Sequence, residues 1–178
     1  MAEPEKERSY FDKWKGAKGL SGLPYPKLSA ILWSGLGGLV AIMLIAGLAL
    51  EAKFLCLIVP LGATCVLIFA APAAPFSQPR NVILGHLIAA LVGLAFFGAL
   101  GSAFWVAALA NGVAIALMVA TKTVHPPAGA TALIPVLTAN GAWLWAFYPT
   151  ALGAIICVII GLIYNNAIKG RVYPAFWW

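Results

Sequence analysis

Residues 121–135 read TKTVHPPAGATALIP, and this stretch separates two long apolar runs. It contains a lysine, a histidine, three prolines and three threonines, residues that a lipid-facing helix disfavours. As a helix, residues 126–138 would measure only about 20 Å, less than a hydrocarbon core of about 30 Å. The stretch therefore predicts a broken membrane element. It is either a re-entrant half-helix or a crossing that residues 121–124 complete as extended chain, shielded by protein or water.

The rest of the chain has the composition of a membrane protein. Of its 178 residues, 63% are hydrophobic and 9% are charged, whereas soluble domains have about 25% charged residues. Between residues 28 and 168 the only charged side chains are Glu51, Lys53, Arg80 and Lys122. This distribution predicts an all-α, polytopic helical membrane protein in a lipid bilayer.

Five apolar runs are candidate membrane helices, namely residues 28–50, 54–71, 82–100, 103–120 and 143–168. A crossing needs about 20 residues, so the second run, interrupted by Pro60, is only just long enough. Residues 1–27 are predicted to form a cytoplasmic or interfacial segment and residues 169–178 a cytoplasmic tail. Three early glutamates and the lack of an early apolar core argue against a cleavable signal peptide.

A repeated pattern divides the membrane region into two halves. PLGAT at residues 60–64 and PAGAT at residues 127–131 share the form P-x-G-A-T. Upstream, SAILW and GLVAI in the first run precede the first motif as SAFW and GVAI in the fourth run precede the second. We predict repeats at residues 28–100 and 101–168, each with a long helix, a broken P-x-G-A-T helix and another long helix. Three crossings per half would make the repeats inverted, as in many transporters.

Loop charge distinguishes two topologies. Six crossings place ten Lys and Arg residues in the cytoplasm and one outside, whereas four crossings place eight inside and three outside. The positive-inside rule favours six. Both arrangements put both termini in the cytoplasm, and we expect a bacterial inner membrane.

The two P-x-G-A-T motifs are candidate anion sites. Proline suits the first turn of a helix, and the unpaired amides of that turn carry partial positive charge, which attracts small anions. Glycine permits close backbone approach, and threonine adds a hydroxyl donor. The predicted binding residues are Gly62, Ala63, Thr64, Pro126, Pro127, Gly129, Ala130 and Thr131. Equally, these small residues could serve only to pack helices tightly.

Four polar residues extend this candidate site. His125 is predicted to bind the anion, to relay a proton or to cap the broken backbone, since ionisable groups in membranes are usually functional. Lys122, Arg80 and Asn81 are further candidates. Lys122 could instead extend to the interface, and Arg80 could simply mark topology.

Two sequence blocks carry a family resemblance. One is HPPAGATAL at residues 125–133, and the other is LGATCVLIFAAPAAPFSQPRNVILGH at residues 61–86, which includes QPRN and GH. Together they resemble the HPP family of integral membrane proteins, across residues 14–166. The resemblance implies a four-helix membrane fold, which favours the re-entrant arrangement, and the transport of nitrite, which some members carry out.

We therefore expect a transporter or channel-like facilitator for a small monovalent anion, nitrite by resemblance, with a membrane scaffold or anchor as the alternative. No phosphate-binding loop, metal-ligand cluster or catalytic triad is recognisable, so enzyme activity, metals and cofactors are not expected. The chain has a net charge of +6, and six of its eleven Lys and Arg residues lie before residue 28, a clustering that indicates orientation rather than nucleic-acid binding. Short spans rich in small and aromatic residues predict a homodimer or homotrimer.

Overall fold

The computed structural model describes residues 26–51 and 58–178, with side chains for residues 26–47 and 58–178. Over these ranges the chain forms α-helices without strands, which confirms the predicted all-α fold class. The six helices are α1 (Leu28–Glu51), α2 (Pro60–Ala70), α3 (Pro79–Leu100), α4 (Phe104–Ala120), α5 (Pro126–Leu137) and α6 (Leu152–Ala167). A 3-10 helix at Pro75–Ser77 precedes α3, and a π-helical turn at Ala146–Ala151 leads into α6.

Three helical segments are long and apolar enough to cross a bilayer: Leu28–Gly47, Pro79–Leu100 and Ala146–Ala167. The other three helices are apolar but shorter, and α4, the longest of them, has 17 residues, or about 25 Å. The predicted run 143–168 is longer than α6 because the turn before this helix is itself apolar, whereas α1 and α3 are slightly longer than their predicted runs. The prolines of both P-x-G-A-T motifs lie in the first turn of a short helix, as predicted: α2 begins at Pro60, and α5 begins at Pro126, one residue before Pro127.

A stripe of small residues brings α3 and α5 together. A Cβ on Gly93 would collide with the Ala132 carbonyl oxygen, and a Cβ on Gly85 would lie 2.8 Å from Cβ of His125. Ala89 continues the stripe between these glycines and is fully buried. Small residues at such contacts allow helix backbones to approach closely in membranes. The packing sets the start of α5 against the second turn of α3.

Short connections fix the neighbours of α3. Gly101 ends α3 with φ +78°, a conformation that glycine adopts readily, and α4 begins at Phe104. The turn of three residues makes α3 and α4 antiparallel neighbours that pack against each other. After α4, residues 121–125 run alongside α3 and connect to α5. Helix α2 contacts both α5 and the 3-10 helix before α3.

The C-terminal segment packs back onto the loop between α2 and α3. Burial raises the pKa of Tyr173, and its hydroxyl donates to the Ser77 carbonyl at 2.8 Å. Gln78 Oε1 accepts from the Ala175 amide at 2.8 Å. The Arg171 guanidinium donates to the Phe69 carbonyl at 3.0 Å, at the C-terminal end of α2, where the helix dipole favours a cation. This segment fixes the loop that carries Phe76.

Candidate functional site

Four polar side chains from three helices and one connecting segment meet in the protein interior. Thr64 comes from the second turn of α2, His86 from the second turn of α3, and Thr131 from the second turn of α5. His125 is the residue immediately before α5. All four have 0% exposure, and we call them the His–Thr cluster. Each sits near a helix start, so the broken helices are what bring them together.

Hydrogen bonds join the cluster into one chain. Thr64 Oγ1 lies 2.9 Å from Nε2 of His86 and 2.9 Å from Nε2 of His125. Thr131 Oγ1 lies 2.8 Å from Nδ1 of His86, and the Phe76 carbonyl oxygen lies 2.7 Å from Nδ1 of His125. The two imidazole rings are 4.9 Å apart between centroids. The chain of bonds therefore runs without a gap from Phe76 to Thr131.

The Phe76 carbonyl sets the direction of these hydrogen bonds. A carbonyl only accepts, so His125 carries its proton on Nδ1 and, when neutral, accepts at Nε2 from Thr64. The Pro60 carbonyl oxygen also lies 3.3 Å from the Thr64 hydroxyl, but Nε2 of His125 is closer at 2.9 Å and takes the single hydroxyl proton. His86 therefore donates to Thr64 from Nε2. His86 Nδ1 in turn accepts from Thr131. One arrangement thus satisfies all four bonds with both rings uncharged.

No acidic side chain that the structure describes belongs to the cluster. Glu51, at the end of α1, is the only acidic residue within the described ranges. A buried charge without a partner is costly, so the resting cluster is neutral. Among the described residues, no three of His, Cys, Asp and Glu come together as metal ligands.

The QPRN motif supports the cluster from outside it. Asn81 Nδ2 donates to the Val124 carbonyl at 2.8 Å, and Arg80 Nη2 donates to the Thr121 carbonyl at 2.8 Å. Gln78 Nε2 donates to carbonyls of its own loop, at Pro72 and Ala74. Arg80 and Asn81, both predicted to bind an anion, thus hold residues 121–125 in place. Their contacts position His125.

The first-turn amides of the two motifs are largely occupied or missing. The Leu61 amide donates to the Ile58 carbonyl at 2.9 Å and the Gly62 amide to the Val59 carbonyl at 3.1 Å, because a turn at residues 58–59, where Val59 already has helical φ and ψ, leads into α2. In α5, Pro126 and Pro127 have no N–H, and the Ala128 amide donates to the His125 carbonyl at 2.9 Å. The donors that converge in this region are therefore side chains rather than orphan amides.

The remaining predicted residues lie around the cluster rather than in it. Gly129 faces α4, where an added Cβ would lie 3.2 Å from Asn111 Oδ1, while Gly62 faces open space. Lys122 is exposed with φ +56°. A groove of about 460 Å³ runs between α2 and α5 beside the cluster and is lined by Ala63, Val66, Leu67, Pro126, Pro127 and Ala130. Of the predicted set, the structure brings together Thr64, His125 and Thr131.

Sequence reasoning did not include His86 or Phe76 in the site. The signal for His86 was present, since it is a histidine inside an apolar run and ends the block that begins at Leu61. Phe76 acts through its main-chain carbonyl, which no sequence pattern reveals.

The described residues are helical, three of their segments are long and apolar enough to span a bilayer, and a polar cluster is buried where α2, α3 and α5 meet. These are the features of a helical integral membrane protein. It belongs to the HPP family, because the profile of the HPP transmembrane region matches residues 23–174. The resemblance inferred from HPPAGATAL and QPRN is thereby confirmed.

Two relatives match almost the whole chain. Both are described as transmembrane proteins of Dictyostelium discoideum and are 39% identical to it over 180 residues. The match covers 95% of this chain but only 57% and 63% of the relatives, so the chain spans less than two thirds of their length. No solved structure matches the chain.

Proposed function

We propose that the protein transports a small monovalent inorganic anion across the membrane, and that the anion is carried past the His–Thr cluster. The observation that carries this proposal is the convergence of both P-x-G-A-T threonines on His86. Ionisable side chains inside a membrane region usually mark a transport pathway. Nitrite is the first candidate because the HPP and QPRN blocks are those of a family in which some members transport it.

The chemistry of the cluster favours a small, singly charged anion. Hydroxyl and imidazole groups can donate to the two oxygens of nitrite without any fixed positive charge nearby. Desolvation cost rises with the square of the charge in the Born description, so sulfate or phosphate would lose far more on entering. Binding by neutral donors is also weak, as a transported ion requires for release.

Access to the cluster requires a movement, since all four of its side chains are fully buried. The groove between α2 and α5 lies next to it and passes Ala63 and Pro127. A shift of these two short helices relative to each other would expose Thr64 and Thr131. An alternating carrier fits this closed arrangement better than an open pore.

The proposal includes an inverted repeat. Thr64 and Thr131 hold the same position in their P-x-G-A-T motifs, and they contact opposite nitrogens of one ring, Nε2 and Nδ1 of His86. Two repeats related by an axis through His86 would produce this arrangement. It supports the inverted hypothesis, in which each repeat opens toward one side of the membrane.

We also propose a homodimer or homotrimer with a pathway in each protomer, with both termini in the cytoplasm. Large apolar side chains are more than half exposed on two helices, including Leu32 and Met43 on α1 and Phe104 and Trp105 on α4. Lipid covers part of this surface, and a second copy of the chain would cover the rest. A bacterial inner membrane stays the predicted location.

Flux through purified protein in liposomes tests the proposed function. We expect uptake of nitrite above protein-free vesicles, weaker uptake of other monovalent anions and none of sulfate. Thr131→Val should reduce nitrite uptake at least tenfold. Thr138→Val, at the C-cap of the same helix, is the matched control, because Thr138 is exposed and its hydroxyl donates to the Ile134 carbonyl.

Two outcomes would contradict the proposal. Well-folded protein that moves none of the anions would favour the scaffold alternative. Equal uptake by the Thr131 and Thr138 variants would remove the cluster from the pathway.

A further inference from the structure

We propose that the His–Thr cluster binds one proton together with each anion, so that the protein is a proton–anion symporter. This inference rests on the proposed function and adds the coupling ion to it. The two histidines that share Thr64 are the proton site, and the transported anion is the counter-ion.

The charge balance of the cluster makes each ion dependent on the other. An anion entering alone meets neutral donors and no cation within the cluster. A proton entering alone makes an imidazolium with no carboxylate partner among the described residues. Either charge by itself is buried and uncompensated, whereas the two together form a hydrogen-bonded ion pair. Each ion therefore raises the affinity for the other by the same factor.

The titratable and charged side chains on the surrounding elements are engaged elsewhere. Arg80 bonds the Thr121 carbonyl and lies over the Trp178 ring, while Arg171 bonds the Phe69 carbonyl. Cys65 and Cys157 pack in the core between α2 and α6. The Tyr164 hydroxyl donates to the Trp33 carbonyl and the Tyr173 hydroxyl to the Ser77 carbonyl. Lys122 and Lys169 are exposed. None of these contacts supplies a counter-ion to the two rings.

The geometry limits the site to one proton. The ring centroids are 4.9 Å apart, so two imidazolium ions would repel each other strongly in this buried place. Each ring has one nitrogen within 2.9 Å of Thr64 Oγ1. The stoichiometry is therefore one proton for one anion.

Thr64 lets the proton move between the rings. A proton that binds Nδ1 of His86 forms an N–H bond there and displaces the hydroxyl hydrogen of Thr131, which rotates away. The Nε2 proton of His86 then moves to Thr64 Oγ1 while the Thr64 hydroxyl proton moves to Nε2 of His125. His86 is left neutral and His125 positive, with no bond to carbon changed and no electron transferred. A hydroxyl, being both donor and acceptor, is the group this step needs.

Coupled measurements in liposomes test the inference. Vesicles of a neutral lipid mixture hold a trapped pH indicator, the membrane potential is clamped with potassium and valinomycin, and the rate in protein-free vesicles is subtracted. Symport predicts that nitrite uptake acidifies the interior with one proton per nitrite, independently of the clamped potential. It also predicts that nitrite accumulation rises about tenfold for each pH unit of inward proton gradient, since one proton is coupled to one anion.

Variants at Thr64 separate coupling from folding. Thr64→Ser keeps a hydroxyl and should keep the accumulation driven by the pH gradient. Valine has nearly the same shape as threonine but cannot relay a proton. The Thr64→Val protein should therefore accumulate at least tenfold less nitrite than wild type under the same pH gradient. Both proteins are compared at matched reconstitution and matched elution from size exclusion.

The outcomes distinguish the two proposals. Nitrite flux that follows the potential and leaves the internal pH unchanged would overturn symport while leaving anion transport intact. Equal pH-driven accumulation by the Ser and Val variants would also overturn it. No flux from wild-type protein under any gradient would overturn the proposed function itself.

Discussion

The hydroxyl of Thr64 lies 2.9 Å from Nε2 of His125, although the two residues are 61 positions apart in the chain. This contact joins the first P-x-G-A-T motif to the HPP motif. Two sequence blocks that look independent therefore form one structural unit. A substitution in either motif should alter the hydrogen bonds of the other.

Removal of the Thr64 hydroxyl should destabilise the protein. Thr64→Val leaves Nε2 atoms of His86 and His125 buried without their partner, and an unsatisfied buried polar group costs about 1–3 kcal/mol. We expect a clearly lower thermal unfolding temperature in detergent, measured by intrinsic fluorescence. Thr64→Ser should unfold close to wild type, and equal unfolding temperatures for Val and wild type would show that the bonds contribute nothing.

The approach of the HPP segment to α3 depends on Gly85. A Cβ there would lie 2.8 Å from Cβ of His125 and 3.0 Å from the Thr123 carbonyl oxygen. Gly85→Ala should push residues 123–125 away, break the contact between His125 and Thr64, and reduce anion flux at least tenfold.

Gly98 provides the control on the same helix, because an added Cβ there meets nothing within 4 Å. Gly98→Ala should leave flux unchanged and stabilise α3 slightly, by up to about 1 kcal/mol. If both alanine variants transport like wild type, the close approach at Gly85 does not matter for function.

Much of the fold could be predicted because it follows from local features. Apolar run length predicted the ends of α1, α3 and α4 to within three residues, and Pro60 and Pro127 marked the first turns of α2 and α5. The number of crossings was harder to predict, since apolar residues continue through the turns, and within the described residues only three segments reach spanning length. The rotation of a helix about its own axis depends on tertiary packing and could not be predicted from the motif. Gly62, predicted to bind the anion, therefore faces open space instead of the cluster.

The site was predicted only in part, because side-chain directions depend on how the helices pack. Thr64, His125 and Thr131 were named from the motifs, whereas the direction in which His86 points depends on α2 and α5 lying on either side of it. Two local features argue against the predicted binding of an anion by first-turn amides. Pro126 and Pro127 lack N–H groups, and a helical turn at residues 58–59 occupies the amides of α2.

Gly129 should act through helix packing. Gly129→Val would press on Asn111, because an added Cβ already lies 3.2 Å from Asn111 Oδ1. Flux and thermal stability should both fall, and Asn111→Ala in the same protein should restore them in part. If Gly129 instead serves close approach of the anion, the second substitution would restore stability without restoring flux.

Asn81 should matter more than Arg80 for the position of His125. Asn81→Asp replaces the donor to the Val124 carbonyl with a carboxylate that repels it, at a cost of about 2–3 kcal/mol for a buried group. Arg80→Ala removes a half-exposed contact worth about 1 kcal/mol or less. Hydrogen exchange of residues 121–125 should accelerate strongly in the first variant and slightly in the second, and the reverse order would contradict this assignment.

The chain has two histidines, and both lie in the cluster, so anion binding there can be followed on these two residues alone. Nitrogen NMR of protein labelled with ¹⁵N-histidine reports the protonation of each ring nitrogen. Without anion we predict two neutral rings, with His125 protonated at Nδ1 and His86 at Nε2. Saturating nitrite should shift one ring toward the doubly protonated form, while sulfate should not. Spectra of both rings that stay unchanged at nitrite concentrations that saturate transport would show that the anion does not act at this cluster.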